Sequence, residues 1–192
     1  AASGASGTNG VLQEGNRTAY NYMLDRWFDC NSSGTGSSTV TPISDAELIA
    51  LEQYLDVDQF IDYMITLWTY NRQDFPTKNW YVFCRRNPAG GAPLKPFTFH
   101  TWDSEAALGQ GVNEGSRWPN STEVLTRWNN TDTNNDTGPV RMYRRLITNA
   151  TFRQRWADRA QQLMLNGGPL SPEAGIARFN ARAAEIDTAI IG

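Results

Sequence analysis

Apolar side chains recur every three or four residues along several stretches of the chain, and this spacing predicts a mainly helical protein. The clearest stretch runs from Val57 to Tyr70, where Phe60, Ile61 and Met64 fall on one broad face. A helix with so wide an apolar face packs against other elements on most sides. We therefore expect this helix to be central and buried.

Shorter patterns predict two helices before the central one. Apolar residues at helical spacing indicate a helix over residues 20–28. Ser44 and Glu47 form a capping-box pattern, in which each side chain satisfies a backbone N–H of the other residue. This pattern predicts a short helix that begins at Ser44 and continues to about Tyr54.

Three further helices are predicted in the C-terminal third, over residues 140–148, 151–165 and 172–191. Two consecutive glycines, 167–168, suit the end of the second of these helices. Ser171 as N-cap and Pro172 in the first turn suit the beginning of the third.

Two runs rich in aromatic and β-branched residues, 80–84 and 97–101, predict strands. The turn-forming residues 87–91 lie between them, so the runs form a predicted antiparallel hairpin. The fold class is therefore α+β and mainly helical. The Gly-, Ser- and Asn-rich residues 1–17 are expected to form a flexible N-terminal segment before a domain over 18–192. Residues 106–139 are polar, with one weak helix expected at 121–128.

Composition narrows the class of protein. The chain has 192 residues, 40% of them hydrophobic, which is enough for one domain with a core. A formal net charge of −3 without a Lys or Arg run argues against a nucleic-acid partner. The apolar stretches are too short to span a membrane. Cys30 and Cys84 can form a disulfide or remain thiols, and we favour thiols because a domain of this size needs no covalent link.

Acidic and amide residues flank the predicted hairpin. Asp74 and Asn79 precede its first strand, and Asp103 and Glu105 follow its second. Mg²⁺ is bound in proteins by carboxylate oxygens together with phosphate oxygens. The parts of a protein-kinase active site follow the same order along the chain, namely an Asp, an Asn five positions later, a hairpin and a second Asp.

The chain resembles the C-terminal part of the CotH kinase family, atypical kinases related to the spore coat protein CotH. The resemblance runs from about Tyr20 to the end and rests on segments in the family's order, at residues 55–64, 71–81, 99–105, 149–159 and 178–190. It implies a protein-kinase-like C-terminal lobe with the hairpin beside the active site. No segment matches the family's N-terminal lobe, which is expected to act in cis in the intact parent protein.

The resemblance also implies a function, namely ATP- and Mg²⁺-dependent phosphorylation of a protein Ser or Thr in the intact parent. Asp74 would orient the acceptor hydroxyl, while Asn79 and Asp103 would hold the metal on the nucleotide, with Glu105 assisting. The substrate would be a surface or coat protein, and the location extracellular, at the cell surface or spore surface.

Two other functions remain open. The chain can be a catalytically inactive CotH-like module for adhesion or the spore coat. Alternatively, it can belong to a carbohydrate-active enzyme in which Asp74 and Asp103 form an acid/base pair. Their carboxyl groups would then lie about 5–5.5 Å apart in a retaining enzyme, or about 6.5–9.5 Å apart in an inverting one. Asp103 also suits a helix N-cap, which is compatible with metal binding.

Overall fold

The computed structural model describes residues 2–3, 11–12, 14–29, 40–70, 79–104, 107 and 138–191. Its elements are, in chain order, β1 (Ala2–Ser3), β2 (Val11–Leu12), α1 (Thr18–Phe28), α2 (Asp45–Leu51), α3 (Val57–Tyr70), β3 (Trp80–Arg85), β4 (Lys95–Thr101), α4 (Gly138–Leu146), α5 (Ala150–Met164) and α6 (Pro172–Ile191). The predicted α+β class, mainly helical with a hairpin, is confirmed. The weak helix expected at 121–128 lies outside the described residues. The chain divides into two compact units, Ala1–Arg153 and Gln154–Gly192.

The strands of the first unit form one antiparallel sheet in the order β2-β1-β3-β4. In the hairpin, Trp80 pairs with Thr101 and Val82 pairs with Phe99. The two-residue strands β1 and β2 extend the hairpin on its β3 side. Composition alone did not predict these two strands, since runs of two residues carry no periodic signal.

Helix α3 covers one face of the hairpin, as its apolar pattern predicts. The buried ring of Phe60 meets the ring of Phe99 edge to face, with centroids 5.3 Å apart. The ring of Trp80 also packs against Phe99, with centroids 5.9 Å apart. Alternate residues of β3 and β4 are thus buried against α3, and burial of these aromatic rings is the main source of stability here.

The edge of β4 that faces away from β3 is hydrogen-bonded to the start of α3. The backbone N–H of Asp56 donates to the carbonyl oxygen of Phe97 (3.0 Å), and the N–H of Phe97 donates to Tyr54 (2.6 Å). Farther along, the side chain of Gln59 donates to the carbonyl of Phe99 (2.6 Å) and accepts from its N–H (2.8 Å). The backbone groups of Phe97 and Phe99 on this edge of β4 are therefore hydrogen-bonded although no further strand lies beside them.

The capping box at the start of α2 forms as predicted. The Ser44 hydroxyl accepts from the Glu47 N–H (3.3 Å), and the Ser44 N–H donates to the Glu47 carboxylate (2.9 Å). The helix ends at Leu51 rather than near Tyr54, because residues 52–54 form a turn. This turn brings Leu55 into a parallel bridge with β4.

Helix α4 is fastened to the end of α1 by two buried arginines. Arg141 donates from Nε to the carbonyl oxygen of Phe28 (2.8 Å). One turn later, Arg145 forms an ion pair with the carboxylate of Asp29 (2.9 Å). Cations at a helix C-terminus satisfy its last carbonyl groups and its negative dipole end. Removal of the Asp29 carboxylate would leave the buried Arg145 guanidinium without this ion pair, which is destabilising.

The second unit contains most of α5 and the whole of α6. The N–H of Leu170 donates to the carbonyl of Leu163 (2.7 Å) as the chain turns between the helices. Ser171 accepts from the N–H of Ala174 (3.3 Å), as expected of an N-cap. Over the described part of the chain, no helix has both the length and the hydropathy that a membrane crossing requires.

Candidate functional site

The structure brings Asn79 and Asp103 together at the open end of the hairpin. Asn79 directly precedes β3, and Asp103 lies two residues beyond the end of β4. The N–H of Trp102 donates to the carbonyl oxygen of Asn79 (3.2 Å), which extends the ladder by one step. The Asn79 amide nitrogen then lies 3.4 Å from Oδ2 of Asp103. Strand register therefore places these two side chains within reach of one small ligand.

Both residues have left-handed backbone conformations, with φ of 62° at Asn79 and 55° at Asp103. Residues with a Cβ avoid this region, at a cost of roughly 1–2 kcal/mol, although Asn and Asp tolerate it best. Two such residues in direct contact indicate that the surrounding structure holds this end of the hairpin in a defined shape. Strained backbone of this kind is concentrated at functional sites.

The other two predicted site residues, Asp74 and Glu105, lie outside the described residues. Asp74 falls in the segment 71–78 that connects α3 to Asn79, and Glu105 is two positions beyond Asp103. The carboxyl separation between Asp74 and Asp103, which would distinguish a glycosidase, therefore involves a residue outside the described part of the chain.

The donor groups at this end of the hairpin are of the kinds that bind a divalent cation such as Mg²⁺. Asp103 is exposed and supplies a carboxylate, and Asn79 is half-buried and supplies an amide group. Mg²⁺ is usually held by one or two carboxylates, with phosphate oxygens and waters as its other ligands. Among the described residues, no three His, Cys, Asp or Glu side chains cluster as a metal cage would require.

Aromatic rings cover the outer face of the hairpin next to this pair. Trp102 is 58% exposed and meets Tyr81 edge to face, with centroids 5.6 Å apart. Phe83 and His100 stack in parallel at 4.2 Å. His100, the single histidine of the chain, is thus engaged in packing on an exposed face. The outer face offers aromatic ring surface beside Asn79 and Asp103.

The start of α4 supports the site from behind. A Cβ on Gly138 would come within 3.0 Å of the Trp80 ring, and its φ is 41°. Only glycine can adopt this conformation at such a close approach without strain. Because Trp80 directly follows Asn79, this contact holds the strand end that carries the amide.

A cavity of about 730 Å³ lies elsewhere, between the start of α1 and the turn of the hairpin. Its lining includes Arg17, Arg86, Glu14 and Cys84, but neither Asn79 nor Asp103. The metal-binding residues predicted from the sequence that the structure describes, Asn79 and Asp103, therefore lie outside this cavity. Cys84 is a free thiol whose pKa is raised mainly by burial, whereas Cys30 lies outside the described residues.

Sequence reasoning missed Gln59 as a support of the site. Its side-chain amide holds the backbone of Phe99, four residues before Asp103. The sequence did contain one sign of this role, since Gln59 is a polar amide directly before Phe60 on the most apolar helix. A half-buried amide of this kind must find hydrogen-bond partners.

Fold and site together define a mainly helical α+β domain with one carboxylate and one amide joined at the end of a hairpin. The chain belongs to the CotH family, because the family model described as CotH kinase protein matches residues 14–191, nearly its whole length. Comparison with the curated proteins finds no match, and comparison with the solved structures finds none either.

Proposed function

We propose that this chain is part of an ATP- and Mg²⁺-dependent protein Ser/Thr kinase of the CotH type. The observation that carries the proposal is the 3.4 Å contact between Asn79 and Asp103 at the hairpin end, in a chain of the CotH family. Phosphoryl transfer requires little from a protein beyond positioning and charge neutralisation. A carboxylate and an amide on a rigid hairpin supply positioning of this kind.

Asn79 and Asp103, with Glu105, are the proposed holders of the metal. Bound Mg²⁺ would supply neutralisation of the negative charge on the nucleotide phosphates. Asp103 is anchored through β4, whose backbone is fixed to α3 by Gln59. Asn79 is anchored through Trp80, which is buried against Phe99. Both donors are thus attached to the core rather than to a long loop, as a precise site requires.

Asp74 is the proposed catalytic residue. Its carboxylate would accept a hydrogen bond from the acceptor Ser or Thr hydroxyl and orient the oxygen for attack. Its place in the sequence supports this role, since segment 71–78 leads directly into the residue that holds the metal. The exposed ring of Trp102 is a surface on which the nucleotide base can stack.

We further propose that an N-terminal lobe in the intact parent supplies the phosphate-covering backbone and a basic residue. In a kinase these groups contact the phosphates from the side opposite the metal-binding residues. The substrate would be a protein of the spore coat or cell surface. The family's association with the spore coat supports this surface location.

Calorimetric titration with Mg·ATP tests the nucleotide site, both on this chain and on a version extended upstream. Asp103→Asn keeps the size of the side chain and removes its charge, so it should abolish binding. Asp25→Asn, at an exposed position of α1, is the matched control and should bind as the parent does. Failure of the extended protein to bind nucleotide with any divalent metal would reject the kinase assignment in favour of an inactive surface module.

A phosphotransfer assay separates the roles of the acidic residues. With radiolabelled ATP and an unfolded protein rich in Ser and Thr as acceptor, Asp74→Asn should bind Mg·ATP normally but transfer no phosphate. Asp103→Asn should lose both binding and transfer. Equal loss of nucleotide binding in the two variants would contradict the proposed role of Asp74.

A further inference from the structure

Helix α6 exposes large apolar side chains along its whole length. Ile176 is 61% exposed, Phe179 74%, Ile186 50% and Ile190 78%. Exposed apolar groups are ordinary when they are single, but a contiguous row marks an interaction surface.

These side chains follow the spacing of a coiled coil. Steps of three and four residues connect Ile176, Phe179, Ala183, Ile186 and Ile190. We name this row the α6 seam. Apolar residues at alternating steps of three and four occupy the a and d positions of a heptad, which face a partner helix. The seam is therefore shaped to pack against another helix.

A helix that exposes nearly every side chain needs such a partner. In proteins, most helical stability comes from packing an amphipathic face rather than from intrinsic propensity. Residues 176–190 of α6 are all exposed in the structure. Packing of the α6 seam against a second helix would supply the stability that α6 does not gain from contacts within the described structure.

The charges beside the seam select the partner and its direction. Arg182 occupies a g position and Asp187 the e position that follows it. When two copies of α6 run parallel, Arg182 of one helix faces Asp187 of the other, twice by symmetry. In an antiparallel pair, a positions face d positions, so one terminal isoleucine of the seam has no partner. In the alignment that keeps Ile176 paired, the Arg182 side chains of the two helices lie opposite each other and repel. Charge complementarity thus favours a second copy of the chain in parallel orientation.

We propose that α6 pairs with α6 of a second copy of this chain as a parallel two-stranded coiled coil. Within one helix, Arg182 also donates to the carboxylate of Glu185. A guanidinium group has five N–H donors, so this contact leaves donors for the partner helix. The interface is isologous, with each seam residue opposite its own copy. The pairing is independent of the kinase proposal, because it uses no residue of the hairpin site.

Sedimentation equilibrium of the full chain over a range of concentrations tests the pairing. The parent should show a reversible monomer–dimer equilibrium. Ile186→Asp places a charge in the seam and should leave only monomer, whereas Thr188→Asp adds the same charge away from the seam and should still dimerise. Circular dichroism of each variant reports its helix content. Monomeric parent protein at every concentration would overturn the proposal, as would a dimer that Ile186→Asp does not weaken.

Charge reversal tests the direction. Arg182→Asp or Asp187→Arg alone turns two attractions into two repulsions, which should weaken dimerisation about tenfold at low salt. The double variant, Arg182→Asp with Asp187→Arg, should restore the parental dissociation constant. Arg178→Asp, away from these flanking positions, is the control. Single reversals that leave the dissociation constant unchanged, or a double variant that fails to recover, would overturn the parallel arrangement.

Discussion

The side-chain amide of Gln59 makes both hydrogen bonds that a neighbouring strand would make to the backbone of Phe99. Its Nε2 donates to the carbonyl oxygen at 2.6 Å, and its Oε1 accepts from the N–H at 2.8 Å. The first turn of α3 thereby continues the ladder along β4. Because only Trp102 separates the end of β4 from Asp103, this contact connects the core helix to the candidate metal ligand.

Replacing Gln59 should therefore affect both stability and the site. Gln59→Leu leaves two part-buried backbone groups without partners, so we expect unfolding to become easier by about 1–3 kcal/mol. Urea denaturation measures this change. Gln53→Leu removes an exposed amide in the turn at residues 52–54, between α2 and α3, and should change stability by less than about 0.5 kcal/mol. Equal effects of the two substitutions would contradict the role of Gln59.

Gly138→Ala should destabilise the first unit through its contact with Trp80. The added Cβ would lie 3.0 Å from the indole at a φ of 41°. Strain and overpacking together predict a loss of about 1–3 kcal/mol. Gly90→Ala is the matched control, since it has a φ of 85° with nothing within 4 Å. Thermal unfolding of both variants separates the effect of the close contact from that of backbone strain. A larger loss of stability for Gly90→Ala than for Gly138→Ala would refute the role given to the Trp80 contact.

Asp103→Gly should separate stability from metal binding. Glycine adopts a φ of 55° without strain, so we expect stability to stay the same or to rise by up to about 1 kcal/mol. Loss of the carboxylate should abolish Mg²⁺-dependent nucleotide binding. Asn166→Gly relieves a similar φ of 53° at the end of α5 and should leave binding intact. Tight nucleotide binding by Asp103→Gly would exclude this residue as a metal ligand.

Tyr143 should make the protein less stable in strong alkali. Burial raises the pKa of its phenol from 10.0 to about 12. The unfolded chain ionises first, so the contribution is complete below pH 10 and is lost as the pH rises towards 12. The loss amounts to roughly 3 kcal/mol, since each pKa unit corresponds to about 1.4 kcal/mol. Denaturant titrations at several pH values measure the free energy of unfolding. Between pH 10 and 12 this free energy should fall less for Tyr143→Phe than for the parent, and an equal fall would contradict the role given to Tyr143.

Asp45 should contribute to the loss of stability in acid. Hydrogen bonds from Asn149 and Thr151, each 2.9 Å long, lower the pKa of its carboxyl below 3.8. A lowered pKa stabilises the fold above the ordinary value, and this contribution disappears as the pH falls through the folded pKa. Asp45→Asn should therefore be less stable near pH 7 but lose less stability on acidification. Unfolding midpoints measured at neutral and acid pH check this, and parallel curves would contradict it.

The local elements were predictable because their signals lie within a few residues. The apolar period marks α3 with its observed bounds, Val57–Tyr70, and Ser44 and Ser171 cap the helices expected of them. The hairpin follows from two aromatic runs around a turn. Such patterns reflect backbone geometry and capping, which act over one or two turns of chain.

Family membership was also readable from the sequence, since ordered segments along the chain resemble the CotH family and its family model covers residues 14–191. The sequence further placed acidic and amide residues on both sides of the hairpin. It contained no measure of their separation, and it offered three functions for the same carboxylates.

Only the tertiary structure decided which distant groups meet. Asn79 and Asp103 are 24 positions apart and converge through strand register, while Gln59 reaches a backbone 40 positions away. Gly138 is required by the position of the Trp80 ring. These contacts depend on how elements pack, and a periodic pattern records only which face is apolar. Local pattern therefore determined the helices and the hairpin, whereas long-range packing determined the geometry of the site.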